Sequence, residues 1–351
     1  MTLAKADLPD VAAPSYPVPR DLSEWTMRRE STRAKLEVLL GDLPPRPAKP
    51  RVTVVGHERR MGFRVEKLSI HNEVGATIPA WLLVPDGEGP FPAILFCHWH
   101  AGQFTLGKDE LWQKVPGGDE QRGEALARRG YVVLAIDAYA FGERAGTGPG
   151  GPNERGGEEQ STLSKLNLWQ GRSLWGMMVR DDRIALDVLA ARPEVDPRRI
   201  GATGISMGST RSWWLAALDE RIAATVGVCC LTRYEELVRT GDLRQHGIYY
   251  FVPGLLRHFD MEAVTSLIAP RAFLTLSGAD DAGSPAPGVE KINRYCNDVY
   301  RLYGQPERFR GEIYAGVGHI YTPVMWLEML AWFDRHLAPR AGAGGAAPTP
   351  A

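Results

Sequence analysis

The chain has 351 residues, 44 % hydrophobic and 24 % charged, a length and composition that support a sizeable core and exclude wholesale disorder. A formal net charge of −1 removes the electrostatic case for nucleic acid or an anionic membrane as partner. The four cysteines (Cys97, Cys229, Cys230, Cys296) form no CxxC pair and fit free, buried thiols in a reducing compartment.

The first twenty residues, "MTLAKADLPDVAAPSYPVPR", are broken by prolines and lack the apolar run of a signal peptide, so residues 1–20 are expected to be a flexible arm. No later run approaches membrane-spanning length, which makes a soluble, cytoplasmic protein the default. From Asp21 to Leu40, Trp25, Met27, Leu36 and Leu39 lie among charged residues, and the pattern predicts a helix stopped by "GDLPPRP". Short alternating stretches at 52–59, 63–70 and 78–84 predict an antiparallel edge.

From Pro92 the rhythm changes. The apolar runs "FPAILFCH", "YVVLAID", "RIGATGIS", "AATVGVCC" and "RAFLTLSG" alternate with helical patterns near 119–129, 178–192, 207–218, 288–303 and 323–336. Strands apolar throughout and separated by helices imply a mainly parallel central sheet covered on both faces, an α/β fold. Residues 140–172 and 231–265 break the alternation. Segments this long inside a domain are usually functional, and both are expected to be lid or pocket elements. The chain is thus expected to hold one domain over 21–337, with a disordered tail at 338–351. Tyr249, Tyr250, Phe251 and Trp169 could form an apolar pocket wall or pack within a lid.

Within "RIGATGISMGSTRSWWLAAL" one serine stands between two glycines, after an apolar strand and before a helix. Hydroxyl attack on an ester needs an exposed oxygen, a base for its proton and donors for the oxyanion. A sharp strand-to-helix turn exposes the hydroxyl, and larger flanking side chains would clash across it. The pentapeptide alone is weak evidence; its place between strand and helix marks Ser206 as the nucleophile. The base should follow the acid in the chain. His319, in the Gly-flanked "YAGVGHIYTPVMW", lies beyond a strand's carboxyl end, where open α/β sheets gather their sites. His336, near the end of the last helix, instead fits a residue complementing the helix dipole. After "RAFLTLSG", the stretch "GADDAGSP" offers Asp280 and Asp281 as the acid that orients the imidazole. One oxyanion donor is the Met207 N–H, and the other comes from "HWHAGQF". His98 and His100 could share a strand face toward a metal, but no third ligand of suitable spacing is evident, so backbone use is preferred and no metal or cofactor is expected.

These residues resemble the α/β-hydrolase fold, and within it the dienelactone-hydrolase-like and acetyl-xylan-esterase-like members. The resemblance runs from about Leu36 to Leu337. It rests on "PAILFCHWHAGQ", "GYVVLAIDAYAFGER", "DDRIALDVLAARPEVDPRRIGATGISMGS", "LIAPRAFLTLSGADDAGSP" and "VGHIYTPVMWLEMLAWFDRHL". It implies a triad of Ser206, His319 and Asp281, the acid standing three residues after the glycine that ends its strand. It also implies His100 as the second oxyanion donor, with Trp99 where a glycine is usual. A serine where true dienelactone hydrolases carry cysteine argues against that narrow activity. The expected function is a serine carboxylic-ester hydrolase on small or acetyl esters. The alternatives are a peptidase or amidase with the same triad, or a non-catalytic binding protein on the same fold.

Overall fold

The computed structural model describes residues 12–338 apart from 76, 241 and 242. The arm expected at 1–20 and the tail expected at 338–351 fall mostly outside these residues. Helix α1 (Leu22–Leu40) begins where Asp21 accepts the Glu24 N–H at 2.9 Å, and it stops at Gly41, whose φ of 99° few other residues tolerate. Strands β1 (Val52–Arg60), β2 (Phe63–His71) and β3 (Thr77–Pro85) then form an antiparallel meander. Alternation was the sequence signal for all three, yet β1 is open along almost its whole length. It lies at one edge of the sheet, paired only with β2, and its side chains are exposed on both faces.

The alternating part follows: β4 (Phe91–Phe96), α2 (Arg122–Arg128), β5 (Val132–Ile136), α3 (Gly157–Trp169), α4 (Leu174–Ala190), β6 (Val195–Ile205), α5 (Met207–Leu218) and β7 (Ile222–Val228). After these come α6 (Tyr234–Thr240), α7 (Met261–Ser266), β8 (Ala272–Gly278), α8 (Ala286–Leu302), β9 (Phe309–Tyr314) and α9 (Pro323–Leu337). The sheet runs β1-β2-β3-β5-β4-β6-β7-β8-β9, and every pairing from β5 to β9 is parallel.

Along β4, Ala93, Leu95 and Cys97 enter one core layer while Ile94 and Phe96 enter the other. Burial of both faces explains why these strands are apolar throughout. Helices α1, α4, α5, α7 and α8 supply the first layer, and α2 and α9 the second. The chain leaves β4 toward β5 on one side and then crosses to β6 on the other. Connections that diverge in this way open a crevice at the carboxyl ends of β4 and β6.

Both excursions contain helix. The first holds α3, and its 146–148 turn wraps the Glu159 carboxylate, which accepts the Gly146, Thr147 and Gly148 N–H groups at 2.8, 3.1 and 2.9 Å. The second holds α6, several 3₁₀ turns and most of α7. His336 does lie in the last turn of α9, but burial pushes its imidazole down to about 4 and its ring packs on Trp332. A neutral ring cannot complement the helix dipole, so only Arg335 in that turn supplies the charge. Among the described residues no helix is long and apolar enough to cross a membrane.

Candidate active site

Ser206 occupies the turn between β6 and α5 with φ 60° and ψ −122°. A non-glycine residue in this region carries strain on the order of 1–3 kcal/mol, which the surrounding contacts must offset. The Ser206 N–H donates to the Val228 carbonyl at 2.9 Å, and its carbonyl accepts the Thr210 N–H at 3.1 Å. Although Ser206 stands at the helix N-cap position, its hydroxyl makes no capping bond. The flanking glycines serve space rather than dihedral freedom. A Cβ on Gly204 would lie 2.2 Å from the Cys97 carbonyl oxygen, and one on Gly208 would lie 2.0 Å from the same atom. The end of β4 therefore presses directly on the turn.

Asp281 lies in the loop after β8, its side chain 1 % exposed, and its Oδ2 accepts from His319 Nδ1 at 2.8 Å. Its Oδ1 accepts the Gly283 N–H at 2.9 Å. Asp280 is exposed, and its side chain makes no hydrogen bond among the described residues. Gly278 lets the two loops close together, since a Cβ there would meet the Val317 carbonyl oxygen at 2.2 Å. With Nδ1–H given to Asp281, the Nε2 of His319 is left as the basic nitrogen. Ser206 Oγ presently faces Cys230 Sγ at 3.7 Å and makes no hydrogen bond to His319.

The turn after β4 is fixed by its own side chains. His98 is fully buried; its Nε2 accepts the Ala138 N–H at 3.1 Å, so Nδ1–H is the proton given to the Trp99 carbonyl at 2.9 Å. Burial drives its pKa well below the usual histidine range. The Trp99 N–H donates to Glu110 Oε2 at 2.6 Å and is therefore occupied. The His100 and Met207 N–H groups have no acceptor among the described residues. The His100 ring lies 2.9 Å from the Tyr249 hydroxyl through Nε2, and its Nδ1 accepts the Gly102 N–H at 3.1 Å. Burial, and then the neighbouring His319, lower its pKa to about 4. Both imidazoles thus spend their nitrogens on local bonds, in different directions.

Cys229 and Cys230 follow β7 with φ of 58° and 51°. Burial pushes the Cys230 thiol up to about 12, and the Asp281 charge adds to it. Among the described residues, two side-chain groups could hold a cation on spacing alone. Cys229, Asp281 and His319 have ligand atoms within 4.8 Å of one another, as do Glu235, Glu236 and Asp260. In the second group Asp260 already accepts the Tyr234, Glu235 and Met261 N–H groups, while Glu236 pairs with Arg233 and Lys291.

The sequence reading did not single out Glu110, Cys230 or His246 as members of this neighbourhood. His246 lies in the second excursion, where its Nε2 is 2.9 Å from the Gly283 carbonyl and its ring stacks on Tyr250 at 4.7 Å. It therefore props the loop that carries Asp281. A histidine among aromatics in "RQHGIYYF" was the only available signal. Tyr249 and Tyr250 are buried, the former packed against His100, Phe141 and Trp175. Trp169, grouped with them as a possible wall, is 89 % exposed and faces solvent.

Comparison with known proteins agrees with this architecture. The model of the Abhydrolase family matches residues 4–315. YtaP of Bacillus subtilis (strain 168), a hydrolase by name, is 38% identical over 314 residues, covering 88% of this chain and 100% of its own. Among solved structures, a glucuronoyl esterase from Solibacter usitatus superposes with a TM-score of 0.66 at 18% identity, over 93% of this chain and 100% of that one. An acetyl xylan esterase from Paenibacillus sp. R4 superposes with a TM-score of 0.56 at 18% identity, over 93% of this chain and 97% of that one. The chain belongs to the Abhydrolase family, and its nine-stranded sheet with helices on both faces is an α/β-hydrolase fold.

Proposed function

We propose that this protein is a serine carboxylic-ester hydrolase acting on small or acetyl esters through Ser206, His319 and Asp281. The observation that carries the proposal is the strained turn holding Ser206 with its hydroxyl not spent on capping α5 and touching only Cys230 Sγ, at the same end of the sheet as the His319–Asp281 pair. In this mechanism Ser206 Oγ rotates from Cys230 toward His319 Nε2, a tightening common when substrate enters. Oγ attacks the ester carbonyl as Nε2 takes its proton, and the Asp281 carboxylate stabilises the imidazolium. The Met207 and His100 N–H groups receive the oxyanion. His319 then protonates the departing alcohol, and water repeats the sequence on the acyl-enzyme. No step needs a metal or an organic cofactor.

Residues 21–337 act in this reading as one unit, the excursions 140–172 and 231–265 building the walls of the cleft. Sugar esters are worth testing because the structural neighbours are named for acetyl xylan and glucuronoyl esters. Four unpaired thiols support a reducing, cytoplasmic setting.

The test is Ser206→Ala assayed on a panel of p-nitrophenyl and sugar acetates, with a fluorophosphonate probe as a second readout. The expected loss in kcat is on the order of 10⁴-fold or more, with the fold kept and probe labelling abolished. A variant retaining a tenth of the wild-type rate would remove Ser206 as nucleophile. Wild-type protein that the probe does not label would favour a binding function.

A further inference from the structure

Trp99 is held at both of its peptide groups. Its carbonyl takes the His98 Nδ1 proton at 2.9 Å, and its N–H goes to Glu110 Oε2 at 2.6 Å. In a planar trans peptide the carbonyl of one residue and the N–H of the next point in opposite directions. Fixing the planes on either side of Trp99 therefore fixes where the His100 N–H points. Glu110 belongs to the short 3₁₀ turn Gly107–Trp112 and is fully buried. Its other oxygen is gripped by Arg122, the first residue of α2, whose guanidinium lies 5.7 Å from the centre of the Tyr321 ring. Tyr321 is two residues from His319. One buried carboxylate thus ties the turn after β4 to the element beside the histidine loop.

Such a pair does not explain itself through stability. Desolvating a carboxylate and a guanidinium costs several kcal/mol per ion, and an apolar pair of similar size is often as stable or more so. What an apolar pair cannot do is accept the Trp99 N–H.

We propose that Glu110 is a positioning residue for ester hydrolysis: held by Arg122, its carboxylate sets the turn at 97–100 so that the His100 N–H faces the oxyanion. This rests on the ester-hydrolase reading of Ser206. The groups facing Glu110 are Arg122 on α2, the Trp99 N–H, Arg211 on α5, Cys97 at the end of β4 and Tyr321. Burial pushes its carboxyl up to about 7 against the pull of Arg122 and of the Trp99 N–H. The competent form is the carboxylate, so its contribution is present above that value and fades below it. Protonated glutamate is nearly isosteric with glutamine, and that gives the test its control.

Glu110→Gln is compared with wild type on p-nitrophenyl acetate from about pH 5.5 to 8.5. At the alkaline end kcat is expected to fall roughly 10- to 100-fold with KM within twofold, a loss in the range of weakened oxyanion donation. The ratio of wild type to variant should shrink toward one at the acid end, where wild type is itself protonated. Titration of His319 is common to both proteins and cancels in the ratio. Affinity for a trifluoromethyl ketone, which forms a tetrahedral oxyanion on the serine, should fall in parallel with kcat. An unchanged kcat at the alkaline end, with or without a raised KM, would overturn the inference while leaving Ser206 untouched. Full activity in Ser206→Ala would instead remove the ester reading, and the inference with it. Should Glu110→Gln fail to fold, the wild-type Trp99 amide resonance decides. It must shift as the Glu110 carboxylate protonates on acidification, and a pH-independent shift would sink the proposal.

Discussion

Asp280 and Asp281 stand side by side after β8, share a chemistry and differ in everything around them. Asp281 presents two oxygens to two donors, the Gly283 N–H and the His319 Nδ1–H, inside a nearly sealed site. Asparagine has one acceptor oxygen and one NH₂ group, so it can satisfy only one of those donors. If the oxygen stays with Gly283, the NH₂ faces Nδ1 and selects the imidazole tautomer that is useless as a base. Asp281→Asn is therefore expected to lower kcat on the order of 10⁴-fold, whereas Asp280→Asn, on an exposed carboxylate, should stay within a few fold. Steady-state kinetics of the two variants check this, and the reverse ranking would move the acid by one position. The residues of the stretch could not decide between the two carboxylates; the family resemblance could. What separates them physically is burial and the second donor at Gly283, and both depend on how the loop folds back.

At the scale of elements, the β6–α5 turn makes a claim that two glycines can test. A Cβ on Gly208 would fall 2.0 Å from the Cys97 carbonyl oxygen and 2.8 Å from its carbon, both atoms of a central strand's end that cannot yield. Gly157, the first residue of α3, has nothing within 4 Å of its would-be Cβ. Gly208→Ala should cost several kcal/mol and most of the activity or soluble yield, while Gly157→Ala should lie within about 0.5 kcal/mol of wild type. Thermal denaturation of both variants measures the contrast, and equal melting temperatures would mean that β4 does not press on the turn. This pressure was partly legible, since glycines around a serine between strand and helix imply crowding. The strands of the parallel block were legible for a related reason: burial on both faces leaves one-letter runs of apolar residues in β4 to β8. The exposure of β1 was not legible, because alternation in sequence does not say whether a neighbouring element covers either face. Nor was the content of 231–265. Its short turns are held by partners far away in sequence, such as the Gly283 carbonyl for His246 and the His100 ring for Tyr249. The network through Trp99, Glu110 and Arg122 left no local pattern either, since Glu110 and Arg122 are ordinary surface types and lie 11 and 23 positions from Trp99.

For the whole molecule, the four thiols sample widely separated parts of the fold. Cys97 follows β4, Cys229 and Cys230 follow β7, and Cys296 lies in α8. Cys97, Cys229 and Cys296 are fully buried, and Cys230 is 6 % exposed beside Ser206. Burial pushes Cys97, Cys230 and Cys296 up to about 12, and burial together with the Asp281 charge carries Cys229 well above the usual thiol range. The reactive species is the thiolate, and at pH 8 a thiol at about 12 is ionised on the order of one part in 10⁴. Inaccessibility and protonation therefore act in the same direction at all four sites. Native protein should resist an aromatic disulfide reagent on the timescale in which the denatured chain releases four equivalents of thiolate. The slow native reaction should then run at one common rate, set by global opening, and should speed up with denaturant in step with the loss of structure. Cys230 is the position where this could fail, because it borders the cleft. Fast modification of one equivalent, with parallel loss of esterase activity, would show that the floor under Ser206 opens independently of the rest of the fold. One common rate at all four would show that the strained turn is held as rigidly as the core on which it rests.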